Sequence, residues 1–504
     1  MPATKLETCR SATIRPSVVV IGAGVGGLTS AIRLAIAGYQ VCLLERHAHI
    51  GGKIRTSMSE AGPIDAGPTV LTMRHVFDEL FRLADSQLDD HVTLIRQDIL
   101  ARHFWPNNQS LDLHAYLESS ARAIRDFSGK ASEREFRAYC KRCHELFWNF
   151  NRSMMRTAEP RLLMMTRQML ARPRLIRHVS PFSTLADMLR RQFSDPRLAQ
   201  LFGRYSTYVG GSPYRSPAVL ALIWQAEASG VWVIKGGMHK LATALAELAT
   251  AHGVDIRLNT HVDRIGRDHG WVNAVHLSNG NTITADAVIY NGDPRALAMG
   301  SLGSDCLDAA PQTLTSDRSF SARVYSFAAR ITGPDLAHHN VFFDADPVSE
   351  FNDLHAHRIP RNPTIYLCAE DRGQGHPPPE TERFEIITNA PIWQHPEPEE
   401  DLQKWHQSIF QKLRAFKLEF DPPPDLQALT TPEEFHRLFP ESQGALYGQS
   451  PHGFLASFRR PTARTPVPGL YLAGGGTHPG AGVPMAALSG MHAAETIKKD
   501  LILT

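Results

Sequence analysis

Gly22, Gly24, Gly26 and Gly27 stand together in Gly22-Ala23-Gly24-Val25-Gly26-Gly27, and Glu45 follows about twenty residues later. In a G-x-G-x-x-G turn each glycine has a physical job. Gly22 allows the tight turn, Gly24 lets a pyrophosphate approach the backbone, and Gly27 lets a helix lie close to its sheet. A carboxylate at the distance of Glu45 accepts hydrogen bonds from a pair of ribose hydroxyls, so the spacing reads as a site for an adenosine dinucleotide without a 2′-phosphate.

Two further stretches extend that chemistry. Ile50-Gly51-Gly52-Lys53-Ile54-Arg55-Thr56 puts two glycines and two cations just after the ribose position, and Asp65-Ala66-Gly67-Pro68-Thr69 makes another close backbone approach. Near the far end, Gly474-Gly475-Gly476-Thr477-His478-Pro479-Gly480-Ala481-Gly482-Val483-Pro484 concentrates glycine where backbone can lie flat against a large planar ligand.

These residues need elements to hold them. Ser17 to Ile21 is an unbroken β-branched run, suited to a parallel strand buried on both faces. The spacing predicts a helix from about Leu28 to Ala37, stopped by Gly38 and facing the phosphates with its positive end. A second strand, Tyr39 to Leu44, ends at Glu45. Pro468 to Ala473 reads as a strand feeding the last glycines, and Pro484 opens a helix through Met485 to Ile497. Val18 to Leu44 is nearly uncharged apart from Arg33, but glycines in its middle argue against a membrane span, because lipid would leave backbone groups unsatisfied.

The glycine pair with Lys53 resembles the double-glycine motif of the flavoprotein superfamily that includes amine oxidases, protoporphyrinogen oxidases and carotenoid desaturases. The resemblance implies FAD, with Lys53 at the basic position that helps hold the diphosphate. It extends cofactor contacts to Gly52, Pro68, Thr69 and Val70, to Val262 through its backbone at the adenine, to Asn291, and to Gly475, Gly476, Gly482, Val483 and Pro484. Leu470 to Pro484 resembles the C-terminal motif of bacterial phytoene desaturase-type enzymes. Gly444-Ala445-Leu446-Tyr447-Gly448, Ser457-Phe458-Arg459-Arg460-Pro461 and Met485-Ala486-Ala487-Leu488-Ser489-Gly490 are similar to stretches of the 1-hydroxycarotenoid 3,4-desaturases.

That likeness implies an α/β fold: a Rossmann-type FAD-binding domain, a mixed α+β substrate domain and a helical membrane-contact part. The expected division is 1–75, 231–300 and 455–504 for the FAD domain, 76–230 for the helical part and 301–454 for the substrate sheet. It further implies oxidation of a CH2–CH2 unit at C3–C4 of an acyclic 1-hydroxy- or 1-methoxycarotenoid, with quinone or oxygen as final acceptor. Positive charge left on a polyene is delocalised, so no strong base is demanded. His478 and Tyr447 are the candidates beside the flavin, and Arg460 is read as a cofactor contact or a strand cap. A desaturase of other regiochemistry, a flavin-dependent carotenoid isomerase and a non-catalytic lipid-binding relative are the alternatives.

A polyene substrate comes from a bilayer, and residues 152–178 offer a surface for it. Seven arginines (Arg152, Arg156, Arg161, Arg167, Arg172, Arg174, Arg177) stand against one acid, Glu159, interleaved with methionine, leucine and isoleucine. Such a pattern suits a peripheral membrane surface with arginines at anionic headgroups, and the resemblance implies that the membrane is a bacterial inner, photosynthetic one met from its cytoplasmic side.

Composition fits an ordinary folded chain: 504 residues, 42% hydrophobic and 21% charged. A formal net charge of +2 argues against nucleic-acid binding. Six cysteines are scattered, and Cys140 with Cys143 reads as buried thiols rather than half a zinc site. Met1 to Pro16 carries Lys5, Arg10 and Arg15 without the apolar core of a secretory signal. His338-His339 with Asp344 and Asp346 reads as surface-loop chemistry, so no metal is expected. Residues from about Leu71 to Gly230 read as mostly helical. Glu399 to Arg414 reads as a helix with Leu402, Trp405, Ile409 and Leu413 on one face.

Overall fold

The structure is a computed structural model that describes residues 15–502, without the side chains of residues 164, 165, 168–170, 173 and 174. The reading of Lys5 and Arg10 lies outside the described residues, as do the side chains of Met164, Met165, Met169, Leu170 and Arg174 in the basic stretch.

A five-stranded parallel sheet organises the molecule. Its order is Leu470–Leu472, Ala287–Tyr290, Ser17–Ile21, Gln40–Leu44 and Asp255–Arg257. Ser17–Ile21 lies at the centre with Val18, Val19 and Val20 buried, as its β-branched run requires. Val25–Ile36 and Val483–Asp500 pack on one face of this sheet, and His239–Ala251 lies beside them. The first and last helices come so close at Gly490 that a Cβ there would strike the Gly26 carbonyl oxygen. Val18 to Leu44 is thus strand, helix and strand, and no helix among the described residues is long and apolar enough to cross a membrane. A small antiparallel sheet, Val262–Asp268, Trp271–Leu277 and Thr282–Thr284, leans on the parallel one through Val19, Leu44, Val275 and Leu472.

The second layer is an eight-stranded mixed sheet centred on Ser321–Thr332, Glu382–Ala390 and Ile365–Ala369. The helix Glu399–Ala415 covers it with Trp405, Ile409, Phe410 and Leu413, the face its apolar period predicts. The expectation of a helical 76–230 needs correction. Ile99–Trp105 and Gln109–His114 form a hairpin, turned at Asn107 and Asn108 in positive φ, and extend this same sheet by pairing in parallel with His339–Phe342. Long-range pairing overrides a short run whose apolar residues do not discriminate helix from strand.

Leu94–Arg96 adds a short strand paired with Trp232–Ile234, and most of the rest of that region is helical. Leu117–Ser128 and Lys130–Phe150 bury Phe136, Tyr139, Leu146 and Phe147, and a π-turn, Asn151–Met155, follows. Cys140 and Cys143 are free thiols on the long helix, with Trp224 Nε1 donating to Cys140 Sγ at 3.2 Å. His338 and His339 are corrected too: both are buried, His339 within the strand His339–Phe342. The Cys368 thiol donates to His338 Nε2 at 3.4 Å, and His339 Nδ1 lies 2.7 Å from the Tyr366 hydroxyl. These three side chains could converge on an ion. In this structure three of the four ring nitrogens engage Arg372 O, Cys368 and Tyr366, His339 Nε2 is buried without a partner, and burial holds His338 neutral with its pKa pushed down to about 4. Asp344 pairs with Lys412, and Asp346 caps the helix Pro347–His355.

Candidate cofactor and substrate site

Backbone from four distant stretches converges at the carboxyl ends of the parallel strands. Asn291, one residue beyond Ala287–Tyr290, is the buckle. Its backbone N–H donates to Ile21 O at 2.9 Å and its Nδ2 to Gly22 O at 3.1 Å, while Oδ1 is buried without a partner. A Cβ added at Gly24 would lie 2.9 Å from Asn291 Nδ2, and one at Gly26 would lie 2.6 Å from both Asn291 Oδ1 and Gly474 N. Gly51 N–H donates to Ala23 O at 2.9 Å, so the second glycine pair is stitched to the first turn. Gly51 and Gly52 hold φ of +105° and +60°, conformations that glycine adopts without penalty.

Glu45 is aimed by the backbone. Oε2 accepts from Ala23 N–H at 2.8 Å and Oε1 from His47 N–H at 2.9 Å. Thr260 N–H donates to Glu45 O at 2.8 Å, which brings Val262, buried at the start of its strand, to the same end of the cavity.

At the other end two cations are buried against carbonyl groups. Lys53 donates to Leu446 O and lies over the Phe439 ring, and burial pulls its pKa down to about 8. Arg460 donates through Nη1 to Tyr447 O at 2.9 Å and Gly475 O at 2.8 Å, and through Nη2 to Gln449 O at 2.9 Å. Burial, helped by the neighbouring Arg318, brings its pKa down to about 10. The nearby carboxylate, Asp293, is committed to Arg318 in a buried ion pair. Gly474 N–H donates to Ser489 Oγ at 2.7 Å, and Gly482, at φ +110°, turns the chain into the helix Val483–Asp500 with Pro484 in its first turn.

Gly22, Gly24, Gly26, Glu45, Gly52, Lys53, Val262, Asn291 and Arg460, with Pro68, Thr69, Val70, Gly475, Gly476 and Val483, line one cavity of about 700 Å³. It continues from the glycine cradle into an apolar arm walled by Phe147, Phe150, Met154, Val219, Leu220 and Ile223. The cradle fits FAD: glycines that a Cβ would fill, a buried carboxylate at the ribose end, and cations whose charge no buried acid cancels.

The two candidates for proton chemistry are both in the wall and both restrained. Tyr447 is a buried phenol with its pKa raised by burial to about 12, so it is no base near neutral pH. His478 Nε2 lies 3.0 Å from both Met154 O and Thr157 O, and the parallel ring of His492 bonds Met155 O at 2.8 Å. These imidazoles pin the turn after Phe150 to the C-terminal loop, and Nδ1 of His478 is buried without a partner. Burial, then the adjacent His492, lowers the His478 pKa from 6.5 to about 4. Unfolded chains therefore take the proton first, so this group's stability is complete above pH 6.5 and is lost as pH falls toward 4. About 3 kcal/mol is expected to go over that window, seen as a melting temperature that declines from pH 7 to 5 and declines less in His478→Gln.

Sequence reading missed Arg204, Tyr208 and Glu227, which also line the apolar arm. Glu227 stands in an apolar helical stretch, and an acid on a buried helical face was the available signal.

A parallel sheet with this cradle at its carboxyl edge defines a dinucleotide-binding oxidoreductase. The chain belongs to the flavin-containing amine oxidoreductase family, which it matches over residues 25–498, and within it to the carotenoid desaturases; its cofactor is FAD. It is 52% identical to a hydroxyneurosporene desaturase of Cereibacter sphaeroides over 97% of this chain and 98% of that one. A hydroxyneurosporene desaturase of Rhodobacter capsulatus is 49% identical over 96% and 98% of the two chains. Among solved structures, an oxidoreductase from Methanosarcina mazei superposes with a TM-score of 0.60 at 18% identity, covering 95% of this chain and 100% of that one, which shows the shared fold.

Proposed function

We propose that this protein desaturates the C3–C4 bond of acyclic 1-hydroxy- or 1-methoxycarotenoids from the surface of the cytoplasmic membrane. The observation that carries the reading is the apolar arm that joins the glycine cradle to the base of the arginine-rich stretch, within a chain so close to hydroxyneurosporene desaturases. When bound, FAD supplies the hydride acceptor and passes electrons on to quinone or oxygen. Gly22, Gly24, Gly26 and Gly27 would hold its diphosphate with Gly52 and Lys53, Glu45 the ribose, Val262 the adenine, and Gly475, Gly476 and Val483 the ring system. Phe147, Phe150 and Ile223 would orient the polyene and keep water out. Tyr447 and His478 are not arranged as strong bases, which suits a substrate cation whose charge spreads along the polyene.

An exposed apolar and basic surface near the arm supports the membrane part of this reading. Phe182 is fully exposed, Leu163 81% exposed, and Trp148, Leu162 and Ile176 are exposed around them, while Arg161, Arg167, Arg172 and Arg177 point outward. Leu175 and Val179 are buried and dock this face on the helical core. Apolar side chains amid outward arginines would seat in an anionic bilayer without spanning it.

The test is incubation of FAD-loaded protein and anionic liposomes with neurosporene and its 1-hydroxy derivative. Loss of two hydrogens with a red-shifted polyene band is expected, chiefly from the hydroxylated compound. A spectral change at constant mass would replace the reading with an isomerase, and equal oxidation of both would make a general desaturase. Leu163→Glu with Phe182→Glu is expected to weaken liposome association by about tenfold or more, since each buries less apolar surface and adds an anion.

A further inference from the structure

A polar cluster is built into the apolar arm. Glu227 is 2% exposed, Arg204 8% and Tyr205 0%. The Tyr205 hydroxyl donates to Glu227 Oε1 at 2.8 Å, and the Arg204 guanidinium lies 5.0 Å from the Tyr208 ring and 5.5 Å from that of Tyr205. Trp224 and Phe202 close the back of the cluster. Burial opposes the charge on Arg204, yet Tyr208, Tyr205 and Glu227 together outweigh it and keep the guanidinium protonated. The Tyr208 hydroxyl stands beside both Arg204 and Glu227 and interacts with each. Yet by strict hydrogen-bond geometry Arg204 Nε and Nη2 and Glu227 Oε2 remain buried without a partner among the described residues, and Arg204, Tyr208 and Glu227 all face the cavity.

An unpaired buried donor beside an unpaired buried acceptor is costly unless a ligand satisfies both. A hydrocarbon satisfies neither, and an ether oxygen only accepts. A hydroxyl accepts through its lone pairs and donates through its proton. We propose that Arg204 and Glu227 bind the C1 hydroxyl of the substrate, Arg204 donating to its oxygen and Glu227 Oε2 accepting its O–H. This rests on the carotenoid desaturase reading and names the feature of the substrate that is read.

Placement supports it. The C1 oxygen is only two carbons from the C3–C4 bond, so the group that reads it must adjoin the cofactor clasp rather than lie at a remote end. Thr69 of that clasp bonds the Tyr366 hydroxyl at 2.7 Å, and Tyr366 shares the cavity wall with Tyr208 and Arg204. Holding the oxygen there fixes which CH2–CH2 unit of a long, otherwise uniform chain meets the flavin position. The cluster therefore orders substrates: hydroxyl first, methyl ether second, hydrocarbon last.

The experiment uses FAD-loaded protein with neurosporene and its 1-hydroxy and 1-methoxy derivatives. Equilibrium binding is read by quenching of tryptophan fluorescence and turnover by the polyene band. Wild type is expected to favour the hydroxylated compound over the hydrocarbon by up to about 10⁴-fold in kcat/KM. Glu227→Gln keeps an oxygen for Tyr205 and turns an amide donor to the cavity. It is expected to bind the hydroxyl compound about 100-fold more weakly and to prefer the methyl ether. Wild type that binds all three equally overturns the proposal without need of the variant, as does a folded Glu227→Gln protein that keeps the wild-type order. Selective binding of the hydroxyl compound without oxidation would leave the subsite standing and overturn the desaturase reading. Equal binding with oxidation of all three would do the reverse.

Discussion

Gly27→Ala is expected to yield protein that melts early and purifies without flavin. A Cβ at Gly27 would fall inside the Gly22 carbonyl oxygen and 3.0 Å from Asn291 Nδ2. Both atoms belong to the buckle that joins the first turn to the end of the strand Ala287–Tyr290, so neither can retreat alone. Overpacking of this kind costs about 1–3 kcal/mol. Its larger consequence is displacement of Val25–Ile36, whose N-terminus bounds the cradle. Bound flavin, measured as visible absorbance relative to protein absorbance, should fall below about a tenth of wild type, since each 1.4 kcal/mol is tenfold in binding. Gly475→Val provides the contrast. A Cβ there meets nothing within 4 Å and projects at the cavity, so flavin should be lost while the melting temperature of the FAD-free protein holds. Full flavin content in Gly27→Ala would show that this turn does not hold the cofactor.

Arg460→Met should be nearly as damaging for a different reason. One buried guanidinium satisfies the carbonyl groups of Tyr447, Gln449 and Gly475, and methionine satisfies none. Each orphaned carbonyl costs about 1–3 kcal/mol, so a total of about 3–9 kcal/mol is at stake in a protein whose net stability is about 5–15 kcal/mol. A fall in melting temperature on the order of 10 °C is expected, together with flavin loss, because the Gly475 loop is no longer fixed. Lysine should restore little: a point charge cannot reproduce a fork that reaches three acceptors. A melting temperature within a degree or two of wild type would exclude the clamp.

The cradle was legible because backbone geometry dictates residue type. Only glycine tolerates the approaches at Gly24, Gly26 and Gly27, and Glu45 must follow them at the spacing one strand and helix impose. The helix Glu399–Ala415 was legible for the same local reason, with acids in its first turn and Trp405, Ile409 and Leu413 at one period. The hairpin Ile99–His114 was not, because its partner His339–Phe342 lies far along the chain and neither run alone prefers a sheet. His338 and His339 looked like loop residues for want of their neighbours, Cys368 and Tyr366, which arrive on another strand. Glu227 left one local trace, an acid in an apolar helical stretch, but Arg204 left none, and the two meet only when separate helical segments fold against each other.

The strand Leu470–Leu472 forms one edge of the parallel sheet, and the glycines that complete the cradle hang from its end. During synthesis the ribosome must therefore deliver almost the entire polypeptide before the cofactor can be captured. Until then the edge of Ala287–Tyr290 waits unpaired and the apolar arm stands open, a template for aggregation that chaperones would have to shield. A chain terminated before Leu470 keeps Gly22, Gly24, Gly27 and Glu45 and is expected to purify without FAD. Cofactor capture thus waits on closure of this one sheet edge, because the clasp is divided between the turn at Gly22–Gly27 and the loop at Gly474–Pro484.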